Sequence, residues 1–422
     1  MKAYGAMKKE ELQVVYEELL AQYKAFQALG LNLNMSRGIP GADQLAMSDA
    51  MLGATSILAE DGTDCRNYGG MDGLPEMKKL FADLLDVAPE NVLVGGNSSL
   101  NMMFDKISTA MTQGICGGTP WMLQGKVKFL CPAPGYDRHF GVTEYFGIEM
   151  ITVPMTPEGP DMDMVERLVA EDAMIKGIWC VPKYSNPQGY TYSDETVRRF
   201  ANLKPAAKDF RIIWDNAYCV HDLTDEPDSL LNIFDECKKA GNEDLVYEFV
   251  STSKISYPGA GVAAMIASVN NLTWEKKRVT IQTIGPDKLN QLRHVAFFKD
   301  KAGVMEQMKK HRALLRPKFD LVLNKLESEL AGLEILQWNN PRGGYFISVD
   351  TLDGCAKRVV ELCKEAGVLL TGAGSTYPYK KDPADKNIRI APTFPSLEKL
   401  EQAITLFCLC VKLASAEKIL EK

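Results

Sequence analysis

The chain has 422 residues, 46 % of them hydrophobic and 24 % charged, with a formal net charge of −7. This is enough apolar chain for a large core and two lobes, while the acidic balance, without any long Lys/Arg block, supplies no basic field for a nucleic acid. Ten scattered cysteines form no Cys-x-x-Cys pair, and with only four histidines no metal-binding spacing arises, so free thiols in a reducing cytoplasm are expected.

The chain starts directly in a charged pattern with no apolar secretory core, and the most apolar late run, 404–411, is too short to span a bilayer. Leu12, Val15, Leu19, Tyr23 and Phe26 recur at intervals of three and four, which predicts an amphipathic helix over 8–29. Leu31 to Gly41 reads as an extended, turn-rich arm in which Gly38 and Gly41 permit close approach to another surface. A glycine-dense loop, Asn67 to Gly73, carries Tyr68 and leads into a helix striped by Leu74, Met77, Leu80, Phe81, Leu84 and Leu85. From about residue 90, short apolar runs at 91–95, 128–131, 148–153, 177–181, 210–214, 245–250 and 262–266 read as strands, with helical periods at 100–111, 162–170 and 194–203 between them. This alternation predicts an α/β domain with a mainly parallel, seven-stranded sheet, whose ligands collect beyond the carboxyl ends of the strands. After Asn270 long helices dominate, and Pro317 within 301–330 predicts a kink or break. Strands at 344–349, 367–371 and 387–390 with helices at 354–366 and 397–418 complete a smaller α+β domain. The division is thus 1–50 as N-terminal helix and arm belonging to the small domain, 51–310 as the large domain, and 311–422 as the C-terminal small domain.

Polar residues stand where the predicted strands end. Tyr247 to Val250 is a strand-like run that delivers Lys254 into a loop of small residues. An amine beside apolar walls loses affinity for its proton, and the free amine attacks an aldehyde to form a Schiff base; a solvated surface charge is the ordinary alternative. Asp215 follows an apolar strand and reads either as a helix cap or as the buried anion that keeps a pyridine nitrogen protonated. Asn186 and Tyr218 are donors suited to a phenolate oxygen. Ser98, Ser99 and Ser251 suit a phosphate at a helix start, although serine is also a common N-cap.

With Asn34 to Gly38, Tyr68 to Pro75, Gly96 to Leu100, Pro134 to Tyr136, Asn186 to Gly189, Asp215 to Tyr218, Ser251-Thr-Ser253-Lys254 and Arg389 in this order, nearly the whole chain resembles the aspartate aminotransferase superfamily. These are the fold-type-I pyridoxal-phosphate enzymes, and the resemblance is narrowest to a bacterial class I/II, aspartate-type branch. It implies pyridoxal 5'-phosphate bound to Lys254, with Asp215 on the pyridine nitrogen, Asn186 and Tyr218 on the phenolate oxygen and Tyr136 stacked on the ring. It also implies Ser98, Ser99, Ser251 and Ser253 near the phosphate, Arg389 with Asn186 and Gly38 around the substrate, and Tyr68 donated to the neighbouring subunit of a cytoplasmic homodimer. Two departures stand out. Lys254 is followed by Ile-Ser-Tyr-Pro-Gly-Ala-Gly-Val-Ala, without the arginine that the family pattern sets some eight positions on to bind phosphate. His139, three residues from Tyr136, is a second aromatic that could stack on the ring.

The expected reaction is transfer of an amino group from an amino acid, aspartate by resemblance, to 2-oxoglutarate, with Lys254, Asp215 and Tyr218 as catalytic groups. A lyase, a decarboxylase or an aminotransferase for other amino acids is the alternative on the same scaffold; a DNA-binding regulator is not expected, since the first helix leads straight into the substrate arm. A second substrate carboxylate would need a cation, for which Arg37, Arg138, Lys183 and Arg342 are candidates. Arg37 stands first because its arm is bordered by glycines and can fold over a substrate.

Overall fold

The computed structural model describes residues 2–53 and 56–421. Its centre is an eight-stranded sheet in the order Val92–Val94, Ala263–Ala267, Val246–Ser251, Arg211–Asp215, Ile175–Cys180, Lys128–Ala133, Glu149–Thr156 and Gly159–Pro160. The five strands from Val246–Ser251 to Glu149–Thr156 are mutually parallel, whereas Ala263–Ala267 runs antiparallel to both its neighbours. Seven of the eight are the seven that the apolar runs predict. The eighth is a correction to that count: Gly159–Pro160 is a two-residue hairpin return pairing with Met155 and Thr156, too short to give an apolar run.

Central strands are buried on both faces, which is why Ile212, Ile213 and Trp214 are all apolar and at most 1 % exposed. Helices cover the two faces and seal separate apolar clusters, one around Phe129, Trp179 and Phe249 and another around Ile178, Phe200 and Trp214. The parallel strands all point their carboxyl ends to one edge, so Val181, Asp215 and Ser251 emerge side by side.

The second lobe holds an antiparallel sheet of Leu336–Trp338, Ile347–Thr351 and Asn387–Ile390, together with helices Ala356–Glu365 and Leu397–Leu420. Leu12, Leu19 and Tyr23 of the N-terminal helix Lys9–Ala28 belong to the same apolar cluster as Phe407, Val411 and Val359, and the Tyr23 hydroxyl donates to the Leu362 carbonyl at 2.8 Å. The arm is tied down as well: Leu33 and Asn34 pair in parallel with Val368 and Leu369. Of the kink or break expected at Pro317, the break is absent, for one helix runs Lys301–Leu330 through it. Buried Leu315, Phe319, Val322 and Leu326 anchor both sides of the proline in the lobe's core, offsetting a single lost backbone hydrogen bond.

Candidate active site

A cavity of about 540 Å³ opens at the carboxyl edge of the large sheet and is closed on its far side by the second lobe. Ser99, Tyr136, Asn186, Asp215, Tyr218, Ser251 and Lys254 line it from the sheet side, and Arg37, Gly38 and Arg389 from the arm and the small lobe. Residues as far apart in the chain as Arg37 and Arg389 are thus brought to one place. Lys254 Nζ lies 4.9 Å from the centre of the Tyr218 ring and 5.9 Å from that of Tyr345. These apolar surroundings lower the pKa of its ammonium, while the Asp215 carboxylate opposes them. Burial in turn pushes the Tyr218 hydroxyl well above its usual range and that of Tyr136 up to about 12, so both stay protonated as donors.

Asp215 is 2 % exposed. Its Oδ2 lies 2.9 Å from His139 Nε2, and its Oδ1 is buried with no hydrogen-bond partner. The His139 ring lies flat on Trp179, 4.4 Å between centroids and 10° between planes. His139 thus braces Asp215 from behind and does not line the cavity, whereas Tyr136 does, which corrects the expectation that His139 could stack on the ring.

Arg389 projects from the strand Asn387–Ile390. Nη1 donates to Asp137 Oδ1 at 3.0 Å and to Asn186 Oδ1 at 3.1 Å, Nη2 contacts Thr371 Oγ1 at 3.4 Å, and the guanidinium lies 4.7 Å from the Phe346 ring centre. Arg389 Nε has no partner. A Cβ on Gly38 would fall 2.4 Å from Phe346, so only glycine lets the arm lie this close to that ring.

The serines divide. Ser98 caps helix Ser99–Gln113, accepting from the Asn101 N–H at 3.3 Å, whereas Ser99 faces the cavity. Ser251 Oγ donates to Ser253 Oγ at 3.1 Å and Ser253 Oγ to the Asn97 carbonyl at 3.4 Å, which joins the strand end to the helix start. Position 262, where the family pattern has its phosphate arginine, is a buried valine whose N–H donates to Thr252 Oγ1 at 2.9 Å. Tyr68 is 77 % exposed and lies outside the cavity of its own chain. Of the four cations considered for a second carboxylate, Arg37 and Arg138 line the cavity. Lys183 is instead held by Asp222 at 3.1 Å and the Cys219 carbonyl at 3.0 Å; Arg342 pairs with Asp228 at 3.4 Å and with Glu226.

Residues 7–422 match the sequence profile of the aspartate amino-transferase family. The chain belongs to this family. An aspartate aminotransferase of Corynebacterium glutamicum is 47 % identical over 412 residues, covering 97 % of this chain and 95 % of that protein. The crystal structure of an aspartate transaminase from the same species superposes with a TM-score of 0.96 at 46 % identity, over 99 % of both chains. A 2-aminoadipate transaminase of Thermus thermophilus is 23 % identical over 339 residues, covering 78 % of this chain and 79 % of that protein. The protein is an aminotransferase of fold type I, and its cofactor is pyridoxal 5'-phosphate.

The cavity fits this cofactor. The partnerless, buried Asp215 Oδ1 is an acceptor that a protonated ring nitrogen would satisfy, and the hydroxyls of Ser99 and Ser251 beside the start of a 15-residue helix suit a phosphate. Several members of this aminotransferase site are invisible to sequence reasoning. The lysine turn is braced by Tyr345, whose hydroxyl is 3.5 Å from the Lys254 carbonyl and accepts from Gln44 Nε2 at 3.2 Å. Gln44 in turn lies 2.9 Å from His311 Nδ1. Thr371 links Arg389 to the arm, donating to the Ser36 carbonyl at 2.8 Å. A polar residue ending a predicted strand was the one signal for Thr371, and the acid next to Tyr136 the one signal for Asp137.

Among the described residues no helix is long and apolar enough to cross a membrane.

Proposed function

We propose that this aminotransferase moves the α-amino group of aspartate to 2-oxoglutarate, as a homodimer with shared active sites. The observation that carries the proposal is that Arg37 and Arg138 line the cavity together with Lys254, Asp215 and Arg389: one guanidinium for the α-carboxylate and further positive charge for a second. The aspartate aminotransferase of Corynebacterium glutamicum, 47 % identical, supports the same substrate.

Bound pyridoxal 5'-phosphate supplies an electron sink for the pair left on the substrate Cα when its proton departs. The chain's residues do the rest. Lys254 Nζ would hold the coenzyme aldehyde and, as a free amine, would be the base that takes the proton from the substrate Cα and the acid that passes it to the coenzyme's aldehyde carbon rather than back to Cα. Burial lowers the pKa of its ammonium, which favours that free amine. Asp215, backed by His139, would keep the ring nitrogen protonated, Asn186 and Tyr218 would donate to the ring oxygen, and Tyr136 would pack on its face. Ser99, Ser251 and Ser253 and the helix start hold the phosphate. Arg389 fixes the α-carboxylate and so turns the Cα–H toward Lys254.

Residues 1–50 and 311–422 act as one small domain closing on 51–310. The pairing of the arm with Val368 and Leu369 supports this, since Arg37 and Gly38 then travel with Arg389. Tyr68 reaches the partner's phosphate pocket; the N–H of the next residue, Gly69, donates to the Ile284 carbonyl at 3.0 Å, and the exposure of both Tyr68 and Ile284 supports an interface there. All ten cysteines are unpaired, which supports a cytoplasmic setting. The test is Arg37→Ala: kcat/KM for aspartate should fall by about 10- to 100-fold, as for loss of a hydrogen bond to a charge, with alanine little affected. An equal loss for both would remove Arg37 from that role.

A further inference from the structure

The guanidinium that should receive the substrate is already engaged. Asp137 Oδ1 lies 3.0 Å from Arg389 Nη1, and the same nitrogen also donates to Asn186 Oδ1 at 3.1 Å. Arginine binds a carboxylate best through two parallel N–H bonds, and here one of its three nitrogens is used twice while Nε has no partner. The Arg389 side chain is 7 % exposed and that of Asp137 32 %, so the arginine is fixed and the carboxylate is the member of the pair with room to leave. Two carboxylates on one recessed guanidinium repel each other. Asp137 also opens the helix Asp137–Tyr145, whose N-terminal N–H groups favour a negative charge once the ion pair is given up.

We propose that Asp137 is an internal competitor for Arg389. In the free enzyme it holds the guanidinium extended into the cavity, and an incoming α-carboxylate binds by exchanging places with it. Asp137 is a positioning residue in this scheme and touches no reacting atom. It weakens ground-state binding of every carboxylate that uses Arg389, so it raises KM without slowing the proton transfer at Lys254. The same exchange assists release, because Asp137 reclaims Arg389 as the product carboxylate departs.

The proposal rests on Arg389 being the α-carboxylate site, and the experiment separates the two. Succinate, a dicarboxylate with no amine, is titrated calorimetrically into the coenzyme-loaded wild type, Asp137→Asn, Asp137→Ser and Arg389→Gln at one ionic strength. Removing the competing charge should tighten succinate binding by about three- to tenfold in both Asp137 variants, the scale of a partly exposed ion pair. KM for the amino donor should fall by the same factor with kcat not raised, while Arg389→Gln should lose most of its affinity. Unchanged or weaker binding in both Asp137 variants, with Arg389→Gln still defective, would overturn the competitor and leave the clamp intact. Undiminished binding by Arg389→Gln would overturn the clamp and the competitor together.

Discussion

Replacing Asp215 by asparagine keeps the shape of the side chain and removes its charge. Asp215 Oδ1 is buried with no partner in the protein, and Oδ2 is committed to His139 at 2.9 Å, so Oδ1 is the atom left to meet a coenzyme ring nitrogen. A hydrogen bond to a charged group contributes about 1.5–3 kcal/mol and a neutral one about 0.5–1.5 kcal/mol. The exchange therefore costs roughly 1–2 kcal/mol in holding a protonated ring nitrogen, or about 1 pK unit or slightly more at that nitrogen. Because the ring must take up electrons when Cα–H breaks, the loss is felt in the rate of the first half-reaction, by about 10-fold or more. Single-turnover stopped-flow of the loaded variant with saturating amino donor measures this step directly. Denaturant unfolding of the coenzyme-free variant is the control, and it should show a single cooperative transition, the fold surviving loss of the charge that faces His139 and Lys254. A half-reaction rate within threefold of wild type, in protein that unfolds normally, would refute the pairing of Asp215 with the ring.

Glu248, on the strand that delivers Lys254, is 4 % exposed and accepts from Asn216 Nδ2; burial raises its carboxyl from 4.5 to about 7. Between those values the folded chain holds a proton that the unfolded chain has released, so stability is lost as pH rises, by about 3 kcal/mol in full. Glu248→Gln should abolish that loss, visible as a smaller gap between the urea midpoints at pH 5 and pH 8. Ser251→Ala removes a hydroxyl proposed to hold the phosphate, and should weaken coenzyme retention by about 1–3 kcal/mol; equilibrium dialysis showing wild-type affinity would locate the phosphate elsewhere.

The frame of this site was readable because strand ends announce themselves. Ile212, Ile213 and Trp214 are apolar in a row, and the first polar residue after them, Asp215, must surface where ligands collect; the same logic found Lys254 beyond Val250. Arg389 was reached only through resemblance, since its strand carries no local mark of a clamp. The side-chain pairs that tune these groups were not readable at all. Asp137 and Arg389 are 252 residues apart, and His139 and Asp215 are 76 apart. Nothing in either stretch encodes the other: the first contact exists only once the two lobes have packed, and the second only once the large sheet and its helices have assembled. Pro317 shows a local rule only half applied: of the expected kink or break, the break is absent, because the apolar stripe on both sides of the proline holds the helix in the core.

The most direct measurement is the first half-reaction of the coenzyme-loaded protein with single amino acids, followed as loss of the coenzyme's visible absorbance. Fast conversion with aspartate and glutamate, and conversion at least about tenfold slower with alanine, leucine and phenylalanine, is the predicted result for a site built around two carboxylates. A preference for an uncharged or aromatic side chain would contradict it.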